Sequence, residues 1–302
     1  MIQMDQASPT DNPDNSNNID INKGFTSFAN LAPNEVGSSW YVYSLFSWLI
    51  FISAQFIILF GKKNMAYGIP LAVEPTLIII YLLIINITGL AITAKRTIYD
   101  KDQGFMNTFF GEHVKQLSFG FLFASGAIIT LRVMLDLAYS LIKGESKNYD
   151  FIYGLFSLNL IFAILGGGCL FHSYTKIEQQ SEWYEMMIIK KGVLSSTIGV
   201  LLYCMCLSSI VLGIYNESDQ KGLSISFVII LALCNIGISF NKRDLGFSVV
   251  NLIIYISITS ISFMDSSKEN KAPKIISLCF VGISFIHSLY LIFNMRDQLI
   301  KA

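Results

Sequence analysis

Residues 117–142 read LSFGFLFASGAIITLRVMLDLAYSLI, an apolar run interrupted by only two charges, Arg132 and Asp136. The hydrocarbon core of a bilayer is about 30 Å thick and takes about 20 helical residues to cross. This stretch is long enough, and seven others like it flank it, at 39–60, 69–94, 151–173, 192–215, 222–240, 245–264 and 275–294. Their spacing predicts an all-α polytopic bundle of about eight crossings, or seven if 222–240, the shortest, does not span. Residues 38–295 form the transmembrane domain, preceded by a polar tail at 1–37 and followed by a short tail at 296–302.

The composition agrees. Of 302 residues, 53% are hydrophobic and 14% charged, and the mean hydropathy is +0.55. Soluble domains carry about 25% charged residues. The lipid bilayer is therefore the first partner the chain requires, and the localisation expected is an integral membrane. The first 37 residues hold Asp5, Asp11, Asp14, Asp20 and Glu35 against Lys23, without the basic start and apolar core of a cleavable signal or the arginines of a transit peptide. Their Asn, Asp, Ser and Pro content predicts a disordered segment.

Lysines and arginines near the crossings orient a membrane chain. Eight crossings put both termini on one side, which collects twelve of them against eight on the other. The bias places the termini on the cytoplasmic-type side. The four residues Asn241-Lys-Arg-Asp244 force blocks six and seven into a tight antiparallel hairpin. Two longer loops, 95–116 and 174–191, carry apolar residues at helical spacing among charges, including Phe109, Phe110 and Trp183. These three, with Trp40 at the start of the first crossing, are expected as interfacial anchors.

Polar residues inside the crossings are the candidate site. Arg132 and Asp136 are four apart and share a helix face. A charge at mid-bilayer costs at least about 2.5–3.5 kcal/mol, so the pair is expected inside the bundle. Asn86, Asn159, Asn251, His287 and, a turn inward, Asn235 lie at similar depth and could complete a midplane polar band. Transporters hold substrate at that depth. The structural alternative is a set of interhelical hydrogen bonds, each worth about 0.6 kcal/mol.

The five cysteines all sit in apolar blocks without metal or disulfide spacing. They are expected as small apolar residues. No zinc-protease, nucleophile-elbow or phosphate-loop pattern occurs in the sequence, and no basic patch for nucleic acid. No catalysis, cofactor or metal is expected. Two functions of different class are carried forward. One is a small permease or channel-like protein with a mid-membrane polar site. The other is a non-catalytic accessory subunit, with other membrane subunits or copies of itself as partners.

Overall fold

In the computed structural model, residues 39–60, 75–100, 106, 109, 111, 113–142, 149–177, 187–215, 220–264 and 271–301 are described. They form eight long α-helices: α1 (Ser39–Phe60), α2 (Pro75–Ala94), α3 (Val114–Ile142), α4 (Tyr149–Lys176), α5 (Ser195–Tyr215), α6 (Gln220–Lys242), α7 (Leu245–Met264) and α8 (Lys271–Lys301). Each overlaps one apolar block. No strand occurs among the described residues. Pro75 opens α2, where its missing N–H is one a helix start leaves unbonded anyway. α8 continues through Lys301, over most of the segment expected as a C-terminal tail.

Six of the helices contain stretches long and apolar enough to cross a membrane among the described residues: Trp40–Phe60, Pro75–Tyr99, Val114–Leu137, Tyr153–Lys176, Ile189–Ser209 and Ile275–Asn294. α6 and α7 contribute shorter apolar stretches, Ile229–Lys242 and Leu245–Ser260. The protein is thus a multi-pass helical membrane protein. Large apolar side chains such as Ile84, Ile161, Leu233, Ile286 and Phe293 face outward, as a lipid-facing surface demands.

α5 is the most enclosed of the six spans and α8 the least. α3 packs extensively on α4 and on α1, α4 on α5, and α7 on α8. At the α3–α4 crossing, a Cβ on Gly166 would stand 3.1 Å from the Ala124 backbone nitrogen, so a side chain here would press the two helices apart by a few tenths of an ångström. Gly166, the first of the run 166–168, therefore marks a close crossing within an unbroken helix.

Two π-helical turns interrupt the regular geometry. Lys95–Tyr99 extends α2, and Ile189–Leu194 precedes α5. They take the place of part of the expected interfacial loops. Met106 and Phe109 are buried, at 3% and 2% exposure, and the Phe109 ring lies 6.2 Å from that of Trp48. Phe109 is therefore an interior residue and not an interfacial anchor, because the indole of Trp48 offers it a larger apolar contact than the headgroups would. Trp40 is half-buried, with Lys115 Nζ 5.4 Å from its ring centroid. Phe110, Trp183 and the tail 1–37 lie outside the described residues.

Candidate functional site

The helix spacing that puts Arg132 and Asp136 on one face of α3 also joins them. Arg132 Nε lies 3.1 Å from Asp136 Oδ2. The Arg132 side chain is 11% exposed and that of Asp136 34%. The guanidinium is thus enclosed by the bundle, as its charge requires. Its Nη2 is buried and has no hydrogen-bond partner among the described residues.

The other candidate residues do not gather around this pair. Asn159 Nδ2 donates to the Ala127 carbonyl at 2.6 Å and to Thr130 Oγ1 at 2.7 Å, and its Oδ1 accepts from Ser208 Oγ at 2.8 Å. One buried amide thereby ties α4 to α3 and α5. Asn86 Oδ1 accepts from Trp48 Nε1 at 2.8 Å, linking α2 to α1. Asn235 Nδ2 donates to Asn251 Oδ1 at 3.2 Å, and Asn251 Nδ2 to Ser284 Oγ at 2.9 Å, linking α6, α7 and α8. The four asparagines are fully buried. They form three separate interhelical links in place of a single band, because each amide bonds the helix it packs against; Asn235 Oδ1 keeps no partner among the described residues. Asn159→Ala should lower stability by about 1–2 kcal/mol, since three polar groups lose a partner together. Unfolding in a mixed-micelle SDS titration measures it.

His287 joins a different centre. Its Nε2 is 3.0 Å from Ser239 Oγ, and that hydroxyl donates to the Asp244 carbonyl at 2.7 Å. The hydroxyl proton being used, His287 is the donor of the first bond. The antiparallel contacts of α3 with α4 put Arg132 level with about residue 157, so about 25 Å of helix separates it from Tyr174 at this centre.

The centre is Asp244, between α6 and α7. The Asp244 N–H bonds the Ser239 carbonyl at 3.0 Å and the Arg243 N–H reaches that of Phe240 at 3.4 Å, the paired closure of a helix C-terminus. Arg243 takes the left-handed position, φ 47°, where glycine is the usual occupant. The same Asp244 then caps α7. Its Oδ1 accepts from the Gly246 N–H at 2.9 Å and the Phe247 N–H at 3.4 Å. One residue ends one helix and starts the next.

Asp244 is also completely buried. Its Oδ2 accepts from the Tyr174 hydroxyl at 2.7 Å, near the end of α4, and Ser195 at the start of α5 bonds it too. Lys190 Nζ donates to the Ile177 carbonyl and stands 5.4 Å from the Tyr174 ring centroid. Lys191 Nζ reaches the Arg243 carbonyl at 3.4 Å. The end of α4, the start of α5 and the α6–α7 turn therefore share one end of the bundle, as alternating crossings require. Burial pushes the Asp244 carboxyl up to about 6, while the bonds from Tyr174, Ser195, Phe247 and Gly246 pull it the other way.

The sequence shows the four-residue turn but not this carboxylate. Asp244 two residues before Gly246 fits a helix N-cap, which is the one local signal available. Tyr174 lies 70 residues away, and nothing in either segment announces the contact. Among the described residues no cluster of His, Cys, Asp or Glu is arranged to hold a metal, and the five cysteines carry free thiols. Comparison with known families, with curated proteins and with solved structures yields no match.

Proposed function

We propose that all eight helices cross the bilayer, with both termini on the more basic, cytoplasmic-type side, and that the protein is a small permease or channel-like protein. Arg132 and Asp136 form its polar site. The observation that carries this reading is the enclosed guanidinium of Arg132, which is held by Asp136 through Nε and keeps a buried donor, Nη2, unengaged among the described residues. A purely structural lock would be expected to use its donors, since an unmet buried donor costs about 1–3 kcal/mol.

Arg132→Ala should abolish solute flux, a fall of at least tenfold, while the protein still inserts at wild-type abundance. Swelling or uptake in proteoliposomes, over a panel of anions, zwitterions and neutral solutes, reads the flux. Immunoblotting of membranes reads the abundance.

A second reading is a non-catalytic subunit of a larger membrane assembly. The observation favouring it is that Asn86, Asn159, Asn235 and Asn251 spend their amides on interhelical bonds. On that reading Arg132→Ala lowers abundance or assembly and leaves no separate flux defect.

A further inference from the structure

Arg243 holds the left-handed backbone conformation, φ 47°, at a position that ordinarily takes glycine. A side chain there carries a conformational cost, which points to a role for the side chain. The turn itself supplies none. The Ser239 and Phe240 carbonyls at the end of α6 are closed by backbone N–H groups, so the helix needs no side chain to finish it. Asp244, the one acid of the turn, is buried, and its carboxylate is engaged by Tyr174, Ser195 and the Gly246 and Phe247 amides. Lys242 and Arg243 are exposed, and neither joins an ion pair among the described residues. Lys191 is drawn to the same place, with its Nζ 3.4 Å from the Arg243 carbonyl, and it too has no acid partner among the described residues. Three cations from two elements thus stand around one inward-facing carboxylate. Positive charge is left over even when that carboxylate is ionised.

The surface leading away from this turn is apolar. Phe240 and Leu233 are exposed on one face of α6, about 10 Å apart along it. Gly237 lies between them, and a Cβ there would meet nothing within 4 Å. Bare backbone flanked by two large apolar side chains therefore runs from the cations toward the middle of the helix. A soluble anion gains nothing from such a floor, whereas an acyl chain packs along it. A phosphate suits the cations, because the planar fork of an arginine matches its oxygens and a lysine adds a point charge. A zwitterionic headgroup would bring its own ammonium among three like charges, so the fit is to a headgroup of net negative charge. We infer that Lys191, Lys242 and Arg243 form a binding site for the phosphate of an anionic phospholipid, with an acyl chain lying on α6 along Leu233, Gly237 and Phe240. The inference rests on the reading that α6 and α7 cross the bilayer, which brings their turn to a membrane surface, and is independent of the permease reading.

The test uses purified full-length protein in nanodiscs of phosphatidylcholine mixed with phosphatidylglycerol, and retained lipids are counted by native mass spectrometry. Wild type should hold phosphatidylglycerol in preference to phosphatidylcholine. Arg243→Gly should weaken that preference about tenfold or more, the loss expected for charge-assisted hydrogen bonds. The same variant should melt at or above the wild-type midpoint, because glycine suits the φ of 47°. Lys191→Gln and Lys242→Gln should weaken retention as well. Lys95→Gln removes a charge from the extension of α2 and should leave retention unchanged. Equal losses at Lys95 and Arg243 would mean diffuse attraction to a basic face and overturn the site, as would a wild type that shows no preference. Displacement of phosphatidylglycerol by inorganic phosphate at equal concentration overturns the lipid in favour of a soluble anion. The crossing is tested separately with Asn241→Cys in the same turn, using a charged maleimide in proteoliposomes opened by freezing and thawing, with wild type as the blank. Labelling supports a turn at the water surface and leaves the lipid counts to decide. An unlabelled turn overturns the crossing of α6 and α7 and the site with it.

Discussion

Gly246→Ala should destabilise the protein by about 3 kcal/mol or more, enough to remove most of it from the membrane. A Cβ at this position would overlap the Lys191 carbonyl oxygen and Ser195 Oγ, far inside any contact distance seen for real side chains. The first of these is backbone in the π-helical turn before α5, so no rotamer change relieves it. Either α7 moves off α5 or the π-helical turn Ile189–Leu194 rearranges, and both break the bonds around Asp244. Gly237→Ala and Gly168→Ala supply the contrast, because a Cβ there meets nothing within 4 Å. Those two should be neutral, or stabilising by up to about 1 kcal/mol through helix propensity. Unfolding midpoints of all three variants in one detergent test the ordering. Equal losses at Gly246 and Gly237 would contradict the close α5–α7 approach.

The second large effect is a pH dependence centred on Asp244. Its carboxyl titrates near 6 in the folded protein, against an ordinary value of 3.8. The shift is upward, so the folded state holds this proton more tightly than the unfolded chain. The stabilisation is complete below about pH 4, declines as the pH rises and is gone above about pH 6. Its full size is about 3 kcal/mol. The groups around it are Tyr174 on α4, Lys190 and Lys191 before α5, Lys242 and Arg243 in its own turn, Tyr81 on α2 and, through Ser239, His287 on α8. Asp244→Asn keeps the acceptor for the Gly246 and Phe247 amides but cannot ionise. Wild type should lose stability relative to this variant between about pH 4 and 6, with a constant difference on either side. Parallel curves across that interval would show that the carboxyl titrates in its ordinary range. Tyr174→Phe removes the hydroxyl bonded to Oδ2 and should move the transition to higher pH, since that bond favours the ionised form.

These residues bear on what a single sequence reveals here. The helices were legible because each apolar block exceeds the length needed for a bilayer, and lipid exposure leaves little doubt about which residues can form it. The Arg132–Asp136 contact was legible for a related reason, since four residues on a helix bring two side chains together regardless of tertiary context. The midplane band was not found, because depth along a crossing says nothing about rotation around it. Asn86 turns to Trp48 and Asn235 to Asn251, and only the packing fixes those directions. Phe109 was misplaced for the same reason: an aromatic beside charges has the composition of an anchor whether it points to headgroups or to Trp48. Asp244 is illegible for a different reason. A carboxylate in a polar turn is unremarkable until Tyr174 and Ser195 are seen to enclose it.

The turn at Asp244 bears on how the chain is made. Because one residue ends α6 and caps α7, no slack exists between them, and the bond from Asn235 to Asn251 pairs their most polar interior groups. On the proposed topology, α6 presented alone to the lipid during synthesis would carry an unmatched amide. Entering with α7 as a preformed hairpin, it carries its amide bonded to Asn251. On that topology the two helices are expected to insert together, once the ribosome has released α7.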